Sequence, residues 1–229
     1  PPTTHIIFPE LRTLPGKNLM NLATSSVMTD ITWLIFSFSR PEQHPRYCKV
    51  LIVIQHYFLV TSFASMSVIS FHTYKTFARG FPAQRPSENH ERKLFKIYLA
   101  IIWLLPAFFA AVFFLLDLND ITKIGYGDST VCWFREKDAM VYLIYIPAAL
   151  SLVFNMVTFL ITALYLRKHS QNMAVRECSS KQRSNLAIYI KLFSLMGFTW
   201  LFGLLDVVVG STTVFEYLFV TLTCLQGVC

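Results

Sequence analysis

The chain is dominated by runs of apolar residues that are long enough to cross a membrane. One of them, residues 50–74, contains no Asp, Glu, Lys or Arg. A helix needs about 20 apolar residues to span the hydrocarbon core of a bilayer. Only 14% of the 229 residues are charged, against about 25% in soluble domains. The sequence therefore predicts an all-α transmembrane helical bundle, with spans near 19–38, 50–74, 97–116, 139–166, 187–209 and 214–229.

Both ends of the chain suggest a piece of a longer protein. The last apolar run, residues 218–229, covers only about half of a membrane thickness at about 1.5 Å per residue. The first residues show neither an initiator Met nor the basic and apolar pattern of a signal peptide. We therefore expect the final span to be truncated.

The basic residues are distributed unequally between the two sides of the predicted bundle. One side carries two in the N-terminal segment and six in each of the segments 75–96 and 167–191, 14 in all, whereas the other side carries 6. Loops rich in Lys and Arg stay in the cytoplasm. The net charge of +7 is thus interpreted as a topology signal, and no nucleic-acid partner is expected. The N-terminal segment is predicted to be cytoplasmic.

Two cysteines lie on the opposite, extracellular side in this topology. Cys48 precedes the run 50–74, and Cys132 lies in the polar loop after the third run, directly before Trp133. Disulfides persist in extracellular environments. We expect a Cys48–Cys132 disulfide that restrains the outer mouth of the bundle.

Asp30 and His56 are polar residues inside consecutive predicted spans. Each lies eight residues from the outer end of its run, about 12 Å deep. Because an acid inside a membrane usually faces the bundle interior or a partner, we hypothesise that these two side chains contact each other near the floor of a central cavity. The alternative is that Ser, Thr or water satisfies each of them separately.

Three further residues inside the spans are candidates for bending or packing. Pro106 and Pro147 are expected to kink their helices, and Asn155 is expected to hydrogen-bond to a neighbouring helix. The chain lacks a His-Glu-x-x-His motif, a Gly-x-Ser-x-Gly elbow and a phosphate-binding glycine-rich loop. We expect no catalytic residue, no metal site and no cofactor.

Several segments resemble family B seven-transmembrane receptors of the adhesion and Methuselah-like branch. The segment 197–203 (GFTWLFG) resembles their sixth-helix signature, and 11–18 resembles their first intracellular loop. Cys48-Lys49 with 56–58 and 67–71 is similar to the third helix. Other similarities are Cys132-Trp133 in the second extracellular loop, Tyr145, Pro147, Asn155 and Phe159 in the fifth helix, and 225–227 in the seventh.

The resemblance implies that the six spans are helices two to early seven of a G-protein-coupled receptor in the plasma membrane. Its partners would be membrane lipid, a heterotrimeric G protein and an unknown extracellular ligand or tethered agonist. The implied ligand-cavity residues are Trp133, Tyr145, Asp30, His56, Trp200 and Phe202. Those implied in bending or activation are Pro106, Pro147, Asn155, Gly197 and Gly203. Those implied to face the G protein are Arg12, Lys17, Arg167 and Lys168.

Two positions depart from the family pattern. Ser65 stands where the third helix usually has Trp, and Ile69 stands where the hormone-receptor branch has Glu. Two alternative functions remain open from the sequence. One is a secondary transporter, which paired interrupted helices would favour. The other is a truncated, non-signalling receptor product.

Overall fold

The computed structural model describes residues 13–39, 45–78, 87–119, 121, 124–126, 134, 137–169 and 221. These residues are almost all helical, with no strand among them beyond an isolated antiparallel bridge between Tyr126 and Phe134. The predicted all-α class is therefore confirmed. The helices are α1 (Leu14–Ser39), α2 (Pro45–Ala78), α3 (Glu88–Leu99), α4 (Leu105–Leu118), α5 (Lys137–Met140) and α6 (Ile146–His169).

Three helical stretches in the described ranges are long and apolar enough to cross a membrane: Tyr47–Thr76, Asn89–Leu118 and Asp138–Tyr165. The predicted spans 50–74, 97–116 and 139–166 fall within or almost within them. The span 19–38 lies inside α1, which is not one of these three stretches. The predicted spans 187–209 and 214–229 lie outside the described residues, except for the helical Thr221.

Two of the long helices contain a π turn that ends two residues before a proline. Ala100–Leu104 joins α3 to α4, and Val141–Tyr145 joins α5 to α6. Pro106 and Pro147 are the second residues of α4 and α6. Proline has no N–H, and its ring clashes with the carbonyl four residues earlier in an α-helix. A wider π turn at this point relieves the crowding, which explains why the helix changes geometry beside both prolines.

The described helices belong to two compact units. The described residues of the first unit lie within Pro1–Ile69 and Pro82–Ser151. Those of the second unit lie within Ser70–Phe81 and Leu152–Cys229. In the second unit, Ser70 and Thr158 share a hydrogen bond between α2 and α6. This bond gives the two helices a polar tie within that unit.

The first unit has a small apolar core where α1, α2 and α3 meet. Its buried members are Leu14, Val68, Tyr98 and Ile102, and Leu94, Phe95 and Trp103 pack against them. Hydroxyl and amide groups link the same helices elsewhere. Ser62 donates to Ser25 at 3.1 Å, and Thr32 donates to Gln55. In lipid, such small polar residues let helices approach closely and hydrogen-bond to each other.

Candidate functional site

His56 is the centre of a buried polar contact near the end of α2 that carries Cys48. Its side chain is only 3% exposed. Nε2 lies 3.2 Å from the Leu143 carbonyl oxygen, and Nδ1 lies 3.1 Å from the Tyr126 hydroxyl. A carbonyl only accepts, so Nε2 carries the hydrogen and Nδ1 accepts from the hydroxyl. The neutral imidazole therefore has a partner at each ring nitrogen.

The carbonyl that His56 reaches is one that Pro147 leaves without its usual donor. Leu143 lies four residues before Pro147, so an α-helix would direct the N–H of residue 147 to this oxygen. Proline has no such N–H, and the surrounding π turn closes instead with a bond from Ile146 to Val141. Neighbouring groups must satisfy carbonyls freed inside a membrane. His56 supplies the hydrogen bond from an adjacent helix.

Two aromatic residues of the segment between α4 and α5, Tyr126 and Phe134, cover His56 and are named here the aromatic cap. Tyr126 is 0% exposed, and Phe134 is also buried. The ring centroid of His56 lies 6.2 Å from that of Tyr126 and 6.1 Å from that of Phe134, whose ring is edge-on to the imidazole. The centroids of the two cap rings are 5.2 Å apart. Such edge-on and tilted arrangements are favourable for aromatic rings.

Asp117, near the end of α4, holds the segment that leads into the aromatic cap. Its Oδ1 accepts a hydrogen bond from the Gly125 N–H at 2.8 Å, and its Oδ2 lies 3.9 Å from the Lys49 ammonium. Gly125 has a φ of 65°, a conformation that suits glycine because it lacks a Cβ. Burial, and secondarily the charge of Asp117, raise the pKa of Tyr126. The Tyr126 hydroxyl thus keeps the proton that it donates to His56.

The predicted contact between Asp30 and His56 is not formed. Both ring nitrogens of His56 bond elsewhere, and the contact between α1 and α2 at this depth joins Thr32 to Gln55. Residue counts give the depth of a side chain along a helix but not its direction around the helix axis. Consecutive helical residues point about 100° apart, so Gln55 faces α1 while His56 faces the π turn Val141–Tyr145 before α6.

The other predicted site residues that the structure describes lie at separate positions along the helices. Cys48 is buried and disulfide-bonded, but Cys132 and Trp133 lie outside the described residues, so their predicted pairing and role stay predictions. Tyr145 is partly buried in the second π turn. Asn155 is buried on α6.

In the first turn of α1, Lys17 places its ammonium 5.3 Å from the Phe95 ring centroid. For Arg167 and Lys168 only the helical backbone of α6 is described. Five further candidate residues lie outside the described ranges: Arg12, Gly197, Trp200, Phe202 and Gly203.

No group of His, Cys, Asp and Glu suited to a metal ion occurs among the residues that the structure covers. A partly open crevice lies between α1 and α2, with about 200 Å³ of empty space that includes its open mouth. Its lining is mostly apolar and comprises Thr32, Trp33, Phe36, Leu51, Ile52 and Gln55. This crevice offers few polar groups to orient a ligand.

Sequence reasoning missed Asp117, Gly125, Tyr126 and Phe134. All four lie near or beyond the end of α4, where a loop carries no helical periodicity from which burial can be inferred. The single available signal was the Gly-Tyr-Gly sequence at 125–127, which indicates a turn but not its contact with His56.

Comparison with known proteins gives consistent similarities. The family model described as 7 transmembrane receptor (Secretin family) matches residues 3–229. The chain is 27% identical over 230 residues to G-protein coupled receptor Mth2 of Drosophila yakuba, covering 94% of this chain and 42% of that protein. It is 24% identical over 208 residues to human Adhesion G-protein coupled receptor D1, covering 90% of this chain and 22% of that protein.

A further relative is Adhesion G-protein coupled receptor G6 of Danio rerio, 26% identical over 235 residues, with 98% of this chain and 19% of that protein covered. The chain thus spans less than half of the length of these relatives.

Proposed function

Because the chain belongs to the secretin family of seven-transmembrane receptors, in its adhesion and Methuselah-like branch, we propose that it transmits an extracellular signal to a cytoplasmic heterotrimeric G protein. The signal is a separate ligand or a tethered peptide agonist. Because the members of this family are receptors, this multi-pass membrane protein is not classed as an enzyme.

The end of the bundle that carries Cys48 faces outward in this proposal. Two observations support that orientation. The loops assigned to the other side contain 14 of the 20 basic residues, as expected for cytoplasmic loops. Cys48 is disulfide-bonded, as is common on the extracellular side. The aromatic cap then lies beneath the entrance used by a ligand.

The observation that carries the proposal is the link that His56 makes between the aromatic cap and the helix break at Pro147. A ligand that moves Tyr126 removes the partner of Nδ1 and alters how firmly Nε2 is held at the Leu143 carbonyl. A ligand acts by favouring one of two pre-existing conformations. The break at Pro147 is the element whose two conformations the ligand would bias.

The G-protein contact is proposed for the basic residues on the other side of the membrane. α6 begins beside the break and continues to His169, so a change at Pro147 acts on the helix that carries Arg167 and Lys168. Lys17, at the start of α1, and Arg12 complete the proposed basic surface. Their positive charges suit acidic side chains of a partner.

The test measures ligand-independent signalling by the full-length receptor in cells. Wild type, Tyr126→Phe, His56→Leu and Tyr142→Phe are expressed at equal surface density, and G-protein dissociation is followed by resonance energy transfer for each Gα class. Losing a restraint of about 1 kcal/mol changes a two-state ratio roughly fivefold. We expect Tyr126→Phe and His56→Leu to raise basal signalling by about that factor.

Tyr142 is the matched control, since it is 66% exposed and its Phe variant should signal like wild type. The proposal fails if every variant remains at the level of cells without receptor for all Gα classes. It also fails if Tyr126→Phe and His56→Leu both match Tyr142→Phe.

A further inference from the structure

Asn18 of α1 is a polar residue buried without a hydrogen-bonding partner among the described residues. Its side chain is 0% exposed, and neither Oδ1 nor Nδ2 has a partner there. The Nδ2 of Asn21, three residues later, is also buried without a hydrogen-bonding partner among the described residues. Residues three apart lie on the same side of a helix. The structure thus concentrates one acceptor and two donor groups on one face of α1.

The surroundings of these amides are apolar. Leu14 and Leu22, one helical turn before and after Asn18, are both buried. Leu14 packs against Tyr98 and Ile102 in the core of the first unit. One polar group is present, since the Trp103 indole N–H donates to the Asn21 Oδ1 at 3.2 Å. This bond orients the Asn21 amide and leaves its Nδ2 facing away from the indole.

Buried amides without partners are strongly unfavourable, and proteins commonly satisfy them with internal water. Such a water typically makes about three hydrogen bonds to groups that have no protein partner. We propose that Asn18 and Asn21 form a hydration site that holds at least one internal water beside Trp103. The water donates to the Asn18 Oδ1 and accepts from the amide Nδ2 groups.

A metal cation does not fit this site. Cations such as Na⁺ or Ca²⁺ require several oxygen ligands, whereas Asn18 offers one oxygen and both asparagines also present N–H groups. An anion would need a compensating positive charge, and the neighbouring Lys17 places its ammonium over the Phe95 ring. Water is the ligand that matches both the donors and the acceptor.

The first measurement is the thermal unfolding midpoint of the full-length receptor carrying Asn18→Leu. Leu has the branched shape of Asn and no polar group. If Asn18 were simply unpaired, this change would remove a penalty and raise the midpoint. With a bound water, the change leaves the water and Asn21 without a partner, so we expect the midpoint to fall by about 3–6 °C. The control is Asn89→Leu at an exposed helical position, which should have little effect.

The second measurement detects the water directly and does not depend on stability. X-ray radiolysis in ¹⁸O-labelled water, read by mass spectrometry, oxidises side chains next to bound internal water. We expect slowly exchanging label on buried Leu14 or Tyr98 or on partly buried Trp103 in wild type, and at least a fivefold lower yield in Asn18→Ala.

Three outcomes overturn the proposal. The first is a higher midpoint for Asn18→Leu. The second is a wild-type receptor in which these three residues stay unlabelled. The third is a lower midpoint for Asn18→Leu without any labelling, because Asn18 would then bond to another side chain rather than to water.

Discussion

Replacing Tyr126 by Phe tests the hydrogen bond that joins the aromatic cap to His56. The substitution keeps the ring, so the packing of this ring with His56 and Phe134, at centroid distances of 6.2 Å and 5.2 Å, is retained. What is lost is the hydroxyl that lies 3.1 Å from Nδ1. Because Tyr126 is 0% and His56 only 3% exposed, bulk water does not replace it.

The expected cost follows from leaving a buried acceptor unsatisfied, which is about 1–3 kcal/mol. For a protein of this size, each 1 kcal/mol moves the unfolding midpoint by about 2–4 °C. Tyr126→Phe should therefore lower the midpoint of the purified full-length receptor by about 2–12 °C, as followed by tryptophan fluorescence in detergent. Tyr142→Phe, at a 66% exposed position, should change it by less than about 2 °C.

A double-mutant cycle with His56→Phe separates this bond from other effects of the two residues. If the hydroxyl acts through Nδ1, Tyr126→Phe should cost little once the imidazole is absent, giving a coupling of about 1 kcal/mol or more. Additive effects of the two substitutions would refute the reasoning. So would a Tyr126→Phe midpoint equal to that of Tyr142→Phe.

Three further predictions concern the segment that carries the aromatic cap. Asp117→Ala removes the acceptor of the Gly125 N–H and should cost about 1–3 kcal/mol. Asp117→Asn retains an acceptor but removes the ion pair with half-exposed Lys49, so it should cost less than about 1 kcal/mol; equal unfolding midpoints would contradict this. Gly125→Ala should destabilise by roughly 1–2 kcal/mol because φ is positive there, and an unchanged midpoint would argue against that backbone conformation. Non-reducing peptide mapping of surface-expressed receptor should recover a Cys48–Cys132 disulfide peptide, and finding both thiols free would disprove the pairing.

The sequence predicted where helices lie better than which way their side chains face. Apolar run length identified the helix that contains His56, because membrane thickness sets that length. It did not predict that Gln55 rather than His56 meets α1, because a helix buried on several sides has no single apolar stripe to indicate direction. Knowing which neighbour packs against each face requires tertiary structure.

Loop residues were predictable only where chemistry singles out a residue type. A pairing of Cys48 with Cys132 is predictable because cysteines on one extracellular face commonly form disulfides. Asp117 and Tyr126 carry no comparable signal, since an acid after an apolar run is usually solvated at the interface. Their importance comes from distances across the fold, 2.8 Å to the Gly125 nitrogen and 3.1 Å to the His56 ring, which no local pattern encodes.

Two consecutive residues of α2 reach the two π turns of the neighbouring helices. His56 donates to the Leu143 carbonyl, and the Tyr57 hydroxyl donates to the Trp103 carbonyl at 3.4 Å. Because adjacent helical residues point about 100° apart, one step along α2 serves two different neighbours. Lipid offers no hydrogen bonds to a helix break, and each π turn receives one from an α2 side chain. The His56-Tyr57 pair therefore links α2 to both breaks, and a rotation of α2 about its axis would disturb both contacts.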